Sequence, residues 1–250
     1  MKIVYFGFDL FEGVFRKICD IAGVELMAVY TFKTDNVFEF NSSIRAQAEK
    51  KGVEVYNHKP SGEEIEEYFE KGCDLIVSAG YIHKIPVPNH PQFKGINIHP
   101  ALLPIGRGAW PYPCTILKGE RKTGVTIHKI TNRFDEGDIL LQRGYSVESI
   151  DTLDTLTYKS QLVAEELIVE VLTNFSKLWE NAKPQGKGVY WKEPTDADRT
   201  ITTDMKLSEA QRIVRAFGSY GVIFSGEVFE NQTEKVRLVP LADGTLELKY

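Results

Sequence analysis

The chain has 250 residues, of which 42% are hydrophobic, enough for one large domain or for a core domain with a small appendage. Its 30 Lys and Arg residues against 35 Asp and Glu give a formal net charge of −5, which excludes an overall basic field for holding nucleic acid. The sequence has no uninterrupted stretch of about 18 apolar residues, so no membrane helix is predicted, and the N-terminus leads directly into a predicted strand. We therefore expect a cytoplasmic protein that acts on a small molecule, with no nucleic-acid or membrane partner.

Strands and helices alternate through the first third of the chain. In chain order the predicted elements are strand 3–6, helix 10–21, strand 26–30, helix 43–50, strand 53–56, helix 63–70 and strand 75–77. Such alternation indicates βαβ units, and so an α/β fold with a doubly wound, mostly parallel, Rossmann-like sheet. Ligands of these sheets bind beyond the carboxyl ends of the strands, so the loops that follow strands are the places to look for a site.

The next predicted strand, 96–99, carries polar side chains. Asn97 and His99 are two residues apart and therefore point to the same side of the sheet. Further strands are predicted at 125–128 and 139–141, with Asp135 in the loop between them. An amide and an imidazole can thus face one pocket, into which a carboxylate could also reach.

A long helix should follow, capped by Asp151 and packed on the core through one apolar stripe. The stripe consists of Leu156, Val163, Leu167, Val171, Phe175 and Leu178. The turn-rich segment 183–188 ends this pattern, and a capping box that starts at Ser208 opens a short helix to Phe217. The last predicted elements are strands 222–229, 236–239 and 245–250, with a hairpin turn at Asp243-Gly244.

This pattern predicts three units along the chain. They are an α/β domain at 1–182 that carries the candidate site, a linker at 183–204, and a small C-terminal subdomain of a helix and a β-hairpin at 205–250. So few strand residues cannot enclose a core, so this tail should pack on the main domain or on a second subunit. The apolar tail positions that need cover, and that predict a homodimer, are Val236, Leu238, Leu246 and Leu248.

The three polar residues fit chemistry at an acyl carbon. Asn97 and a protonated His99 can donate hydrogen bonds to a developing oxyanion, while a carboxylate orients the imidazole and favours its charge. Asp138 is a second candidate for that carboxylate, because it lies in the same loop as Asp135. The three cysteines form no CxxC pair and no histidines have the spacing of a metal site, so we expect core thiols and no required metal.

The stretch 97–142 resembles the active-site region of the folate-dependent formyltransferases. That family joins an Asn-Xaa-His strand to Leu-Leu-Pro and then Arg-Gly, followed by Gly-Xaa-Thr-Xaa-His and an Asp-Xaa-Gly loop. The matching residues here are Asn97, His99, Leu102-Leu103-Pro104, Arg107-Gly108, Gly124 to His128, and Asp135-Glu136-Gly137. The resemblance implies formyl transfer from 10-formyltetrahydrofolate, as co-substrate, to a primary amine. It also implies a catalytic set of Asn97, His99 and Asp135, with Asp135 favoured over Asp138.

The resemblance extends to ligand-binding residues. Those implied or assigned for the folate co-substrate are Tyr81, Ile82, His83, Leu103 and Asp138. Those assigned to the second substrate are Phe8, Arg107, Gly108, Trp110 and Tyr112. Phe8 follows the first strand, where a helix N-terminus can attract phosphate, and Arg107 offers a cation beside aromatic rings. His128 is interpreted as a residue of the core edge or of the layer behind the ligand contacts.

Several subfamilies share this block, so the acceptor amine has to be inferred from its surroundings. Glycinamide ribonucleotide formyltransferases usually have a phosphate loop rich in Gly, Ser and Asn after the first strand, which residues 6–13 do not resemble. Methionyl-tRNA formyltransferases add a full C-terminal barrel and a basic surface, while this tail is short and the chain acidic. The favoured acceptor is therefore a nucleotide-linked amino deoxysugar, such as a dTDP-sugar for lipopolysaccharide O-antigen biosynthesis. A non-catalytic relative that only binds ligand is the alternative from another class.

Overall fold

The computed structural model describes residues 1–33, 41–202, 205–225, 237–240 and 246–249. Its strands are β1 (Lys2–Gly7), β2 (Glu25–Tyr30), β3 (Val55–Tyr56), β4 (Leu75–Ala79), β5 (Gly95–His99), β6 (Ile105–Arg107), β7 (Lys122–Lys129), β8 (Ile139–Ser146), β9 (Val189–Tyr190), β10 (Thr200–Thr202), β11 (Ile223–Ser225), β12 (Arg237–Pro240) and β13 (Leu246–Lys249). Its helices are α1 (Glu12–Asp20), α2 (Ser42–Lys50), α3 (Gly62–Glu70), α4 (Pro111–Lys118), α5 (Leu153–Thr173), α6 (Phe175–Glu180) and α7 (Leu207–Phe217). Two short 3-10 helices span Asp9–Phe11 and Asp196–Arg199.

Seven of the strands form one sheet in the order β3-β2-β1-β4-β5-β7-β8. The pairs from β3 to β5 are parallel, and β7 and β8 add two antiparallel strands at the other edge. This confirms the predicted α/β fold with a mostly parallel sheet. Alternate strand residues enter opposite layers, because Tyr5 lies with the helices α1 and α5 while Val4 and Phe6 lie with α3. The sheet is therefore covered on both faces.

The helix α7 of the C-terminal part packs on α4 and α5. A third hydrophobic cluster joins α7 to α4 and α5 and includes Tyr112, Leu156, Ile213 and Phe217. The strands β12 and β13 form an antiparallel pair close to where strands were predicted. The predicted hairpin turn at Asp243-Gly244 lies outside the described residues. The homodimer and the boundaries of the three units stay predictions.

Two helix ends differ from the prediction. Thr152, not Asp151, caps α5, since its side chain accepts a hydrogen bond from the Thr155 N–H in a reciprocal capping box. The Ser208 capping box is absent. The helix α7 begins at Leu207, and its N-cap residue Lys206 makes no side-chain cap hydrogen bond. Propensity locates a helix start only to within a residue or two, and the local backbone decides which side chain reaches the free N–H groups.

The long helix also ends earlier than predicted. Asn174, with φ −113° and ψ 26°, separates α5 from α6, so the predicted stripe runs over two helices rather than one. The stripe itself is confirmed as core, because Leu156 is buried in a second region of the core and the other stripe residues are buried in, or packed against, the main hydrophobic cluster. Among the helices of the described residues, none has the length and apolar composition needed to cross a membrane.

Candidate active site

The strand β5 lies between β4 and β7 and presents the predicted amide and imidazole together. His99 is only 5% exposed, and Asn97, two residues earlier on the same face of the strand, is half-buried. Because β7 runs antiparallel to β5, His128 lies directly opposite Asn97 and Thr126 lies opposite His99. Two polar pairs thus meet across two neighbouring strands.

Asp135 enters this group from the loop between β7 and β8. Its Oδ1 lies 3.4 Å from His99 Nδ1 and 3.5 Å from the Asn97 side-chain nitrogen. Its Oδ2 accepts a hydrogen bond of 3.0 Å from the Gly108 N–H. The structure therefore brings together the three residues that the sequence predicted as a catalytic set.

The rival carboxylate faces away from the imidazole. The Asp138 side chain is 43% exposed and pairs with the Lys129 ammonium at 3.5 Å. Asp135 is only 8% exposed and contacts His99. The carboxylate that supports the imidazole is therefore that of Asp135.

The protonation of His99 and Asp135 depends on their burial and on the charged and hydrogen-bonding groups that face them. Burial lowers the pKa of His99, while the Asp135 carboxylate and the Gly106 carbonyl oppose that shift. Burial alone would raise the pKa of Asp135, but the facing His99, the His128 side chain and the Gly108 N–H outweigh it and lower the pKa to about 2. Asp135 is therefore a carboxylate at neutral pH, and its neighbour is an imidazole held between opposing influences.

The hydrogen bonds fix the orientation of the His99 ring. The His99 Nε2 lies 2.7 Å from the Gly106 carbonyl oxygen and donates to it, because a carbonyl only accepts. The Nδ1 atom faces the Asp135 carboxylate. Protonation of Nδ1 would thus give both ring nitrogens a hydrogen-bond acceptor, so the site can stabilise an imidazolium despite its burial.

The sequence missed how closely His128 belongs to this group. Its Nε2 lies 3.2 Å from the Asn97 side-chain nitrogen and 3.6 Å from Asp135 Oδ1, and the ring is 2% exposed. Its Nδ1 lies 2.9 Å from the Lys129 carbonyl oxygen and donates to it. The burial agrees with a residue behind the ligand contacts, but only the β5–β7 register reveals its place beside Asn97.

The contacts of the Thr126 hydroxyl give the threonine of the Gly-Xaa-Thr-Xaa-His segment a structural role. Its hydroxyl donates to the Ala101 carbonyl oxygen at 2.6 Å and accepts from the Leu103 N–H at 3.2 Å. The Gln142 amide donates to that hydroxyl at 2.8 Å and to the Leu103 carbonyl at 2.7 Å. These bonds fix the turn that follows His99.

Comparison with known proteins assigns this arrangement to a family. Residues 1–172 match the family model described as formyl transferase. The chain belongs to the formyl transferase family. The match covers more than half of the chain and includes all three residues of the candidate catalytic set.

Among curated relatives of this formyl transferase, the methionyl-tRNA formyltransferase of Ehrlichia ruminantium (strain Gardel) is 35% identical over 236 residues, which are 91% of this chain and 78% of that protein. The methionyl-tRNA formyltransferase of Ehrlichia chaffeensis is 35% identical over 189 residues. That alignment covers 71% of this chain and 62% of the relative, so the chain spans less than two thirds of it.

Solved structures share the fold over nearly the whole chain. A sugar N-formyltransferase from a Shewanella species has a TM-score of 0.67 at 20% identity and covers 100% of this chain and 96% of its own. The N-formyltransferase of Helicobacter canadensis, in complex with folinic acid and dTDP-3-aminofucose, has a TM-score of 0.70 at 20% identity and covers 95% and 85%. At this identity the likeness establishes the fold of the formyl transferase.

The residues assigned to the folate co-substrate lie mainly in loops beside the catalytic set. Tyr81 is buried and packs its ring on Phe6 and His83, whereas Ile82 is 57% exposed. Burial lowers the pKa of His83. Leu103 is buried in the turn after β5. The segment around Tyr81 follows β4, the strand next to β5, so it borders the same end of the sheet.

Phe8, assigned to the second substrate, is half-buried, and the centres of its ring and of the Phe32 ring are 5.2 Å apart. The next residue, Asp9, accepts hydrogen bonds of 3.0 Å from the backbone N–H groups of Ser43 and Ile44 at the N-terminus of α2. Phosphate binding at the helix that follows the first strand stays a prediction.

Two other residues assigned to the second substrate make their contacts within the protein. The buried Arg107 donates from Nε and Nη2 to Gln185 Oε1 at 3.2 and 2.8 Å, and its Nη1 lies 3.6 Å from Glu136. The Tyr112 ring is buried in the third hydrophobic cluster, in the first turn of α4. Their assignment to the second substrate stays a prediction.

Gly108 contacts the candidate catalytic carboxylate, and Trp110 is the residue before α4. Gly108 holds the Asp135 carboxylate through its N–H, as described above. Trp110 donates from Nε1 to Glu193 at 2.8 Å and sets its ring edge-on to Tyr220 at 5.1 Å. A cleft of about 80 Å³ lies beside this ring and is also lined by Arg199.

Within the described residues, no cluster of three His, Cys, Asp or Glu side chains could hold a metal ion.

Gly137→Ala should destabilise this formyl transferase by about 2 kcal/mol or more. A Cβ at Gly137 would lie 1.9 Å from the Lys129 carbonyl oxygen, so the Asp-Xaa-Gly loop would have to move away from β7. Urea unfolding of the wild type and the variant measures the difference. Gly186→Ala is the matched control, since a Cβ there meets nothing within 4 Å, and it should change stability by less than about 0.5 kcal/mol. Equal effects of the two changes would contradict the prediction.

His99 should make the protein less stable as the pH falls. Because burial lowers the pKa of His99 in the folded state, the unfolded chain binds more protons below its own pKa of about 6.5. The free energy of unfolding should then decrease from pH 7.5 to 5.5, and His99→Gln should reduce that decrease. Urea unfolding at both pH values measures this. The prediction fails if both proteins lose the same stability.

Proposed function

We propose that this formyl transferase moves a formyl group from 10-formyltetrahydrofolate to the primary amine of a nucleotide-linked amino deoxysugar. The observation that carries the proposal is the convergence of Asn97, His99 and Asp135 within 3.5 Å contacts at the carboxyl end of β5. The folate donor is supported by solved neighbours in complex with folinic acid, from Helicobacter canadensis, and with tetrahydrofolic acid, the HypX protein of Aquifex aeolicus.

The proposed reaction needs no covalent enzyme intermediate. The amine nitrogen attacks the formyl carbon, a new C–N bond forms, and the carbonyl electron pair moves to oxygen. As this bond forms, the neutral His99 imidazole takes up the proton that the amine loses; Asn97 donates a hydrogen bond to the oxyanion, and the resulting imidazolium stabilises it electrostatically. The tetrahedral intermediate then collapses, the bond from the formyl carbon to the folate nitrogen breaks, and that nitrogen takes up the proton held by His99. Each step needs only hydrogen-bond donors and one proton carrier.

The low pKa of Asp135 refines its proposed role. A carboxylate with a pKa of about 2 is a weak base, so Asp135 serves mainly to favour the positive charge on His99. The His99 imidazole, whose pKa burial lowers, is the better acceptor for the proton that the attacking amine loses. The proposal therefore assigns removal of the amine proton to His99 rather than to Asp135.

The amino-sugar acceptor is supported by charge and by fold. The net charge of −5 does not favour a polyanionic acceptor such as tRNA. Solved neighbours include proteins named as sugar N-formyltransferases and an N-formyltransferase in complex with folinic acid and dTDP-3-aminofucose. Residues 6–13 also do not resemble the Gly-, Ser- and Asn-rich phosphate loop of the glycinamide ribonucleotide type. Trp110 and the adjoining cleft are the proposed acceptor side of the site.

Methionyl-tRNA is the second candidate acceptor, because curated relatives at 35% identity carry that name. The deciding experiment offers 10-formyltetrahydrofolate with a panel of dTDP- and UDP-linked amino sugars and, in parallel, with methionyl-tRNA. The proposal predicts a mass gain of one formyl unit on an amino sugar, formed at least about 100-fold more slowly by Asp135→Asn enzyme. Formylation of the tRNA alone would select the second candidate. Folate binding without any product would instead indicate a non-catalytic relative.

A further inference from the structure

The segment 183–191, called the strap below, lies beyond the residues that match the family model and folds against the catalytic loop. Lys183 and Ile139 exchange two backbone hydrogen bonds of 2.8 and 2.9 Å. Further along, β9 pairs with β6, and the Trp191 N–H donates to the Arg107 carbonyl at 2.8 Å. The strap is thus anchored at both ends next to the loop that carries Asp135.

One strap side chain, Gln185, reaches the catalytic loop directly. Its Nε2 donates to the Asp135 carbonyl oxygen at 2.9 Å and to the Gly137 carbonyl oxygen at 2.7 Å. Its Oε1 accepts two hydrogen bonds from Arg107, from Nε at 3.2 Å and Nη2 at 2.8 Å. Both donors and the acceptor oxygen are engaged, so the orientation of this amide is fixed.

A second strap residue holds the same loop from outside. The Tyr190 hydroxyl lies 2.6 Å from the Phe134 carbonyl oxygen and 2.9 Å from Glu136 Oε1. The Arg107 guanidinium lies 5.7 Å from the centre of the Tyr190 ring and 3.6 Å from Glu136. Residues on both sides of Asp135 are therefore tied to the strap.

Asp135 needs such support because its backbone is strained. Its φ of 54° lies in the left-handed region, which a residue with a Cβ occupies at an energetic cost unless its surroundings hold it there. Gln185 holds its carbonyl, and Gly108 holds its side chain. This conformation directs the carboxylate toward His99.

We propose that Gln185 is a positioning residue that keeps Asp135 facing His99, so that the strap completes the active site from outside the family-matched region. The inference rests on the proposed function of the same site. Gln185 touches no reacting atom in this scheme and acts through the backbone of the catalytic loop. Residues 1–172 alone would therefore carry the catalytic set without the side chain that orients its carboxylate.

The first test measures the pKa of His99 without any substrate. In Gln185→Leu, loss of both donors should let Asp135 turn away, so that burial acts on His99 with less opposition. The His99 pKa, followed by long-range ¹H–¹⁵N correlation NMR, should then fall by about 1 unit or more, while His128, which also faces His99, remains in place. An unchanged His99 pKa in the folded variant would overturn the proposal. This result does not depend on which amine the enzyme formylates.

Gln185→Glu separates positioning from packing. It keeps the acceptor for Arg107 but removes both donors to the loop, so it should lower the His99 pKa in the same direction as Gln185→Leu. In a formylation assay both variants should lose about 10- to 100-fold in kcat, with little change in KM for either substrate. Gln47→Leu, which removes a half-buried glutamine amide bonded to Glu12 and Ser43, is the matched control and should keep kcat. Wild-type kcat and His99 pKa in Gln185→Glu would overturn the proposal, even if Gln185→Leu does not fold.

Discussion

Asp135→Asn is expected to lower kcat by about 100-fold or more, because it removes the charge that favours protonated His99 and leaves the shape of the site unchanged. The amide oxygen of the new side chain can still accept from the Gly108 N–H, so the loop should keep its conformation. Formyl transfer to the acceptor identified in the substrate panel measures the loss. Thermal unfolding should place the variant close to the wild type, which would separate lost chemistry from lost structure.

Asp138→Asn is the matched comparison in the same loop. Its side chain is 43% exposed and pairs with Lys129, and surface pairs of this kind contribute about 0–1 kcal/mol. We expect kcat to stay within a few-fold of the wild type, with any effect confined to the KM for the formyl donor. A larger loss of kcat in Asp138→Asn than in Asp135→Asn would reverse the assignment of the catalytic carboxylate.

Asn97→Ala is expected to cost about 2.7–4 kcal/mol of transition-state stabilisation, or about 100- to 1000-fold in kcat. The half-buried Asn97 amide nitrogen lies 3.2 Å from His128 Nε2 and 3.5 Å from Asp135 Oδ1, in the group that the proposed reaction places around the developing oxyanion. His99→Ala should lose turnover to a similar extent. It should also lose stability, by about 1–3 kcal/mol, because the Gly106 carbonyl would keep no partner from this ring.

A surface asparagine gives the control for this pair of changes. Asn181 is exposed and donates only to the Lys177 carbonyl in the last turn of α6, so Asn181→Ala should leave kcat unchanged. Single-turnover measurements with saturating donor compare the chemical step in all three variants. If Asn97→Ala or His99→Ala turns over at the wild-type rate, that residue has no part in the reaction.

The charge distribution ties these predictions to one physical picture. Burial keeps water from the imidazole, and the ionised Asp135 compensates by favouring the protonated ring. The Gly106 carbonyl and the Gly108 N–H, which flank Arg107 in the chain, hold the two members of this pair. The backbone of one short segment therefore orients both the imidazole and its carboxylate, and no covalent nucleophile is needed.

The strong local patterns of the sequence were sufficient to predict the main sheet and to place Asn97 and His99 on one face of a strand. Alternation of apolar runs and helical stripes predicted the α/β fold, because side-chain period is a property of each element by itself. The two-residue spacing of Asn97 and His99 likewise placed them on one face of β5, and the family resemblance added Asp135. Helix ends were less certain: Thr152 instead of Asp151 caps α5, since caps depend on local backbone angles.

What the sequence by itself determined is therefore the order of strands and helices and the residue types of the candidate catalytic set. Only the tertiary structure decided that His128 lies opposite Asn97, that Arg107 donates to Gln185, and that Tyr112 enters the core. These facts depend on strand register and on contacts between segments far apart in the chain, such as the 50 residues between Asp135 and Gln185. A local pattern carries no record of such contacts, because packing of distant elements fixes them.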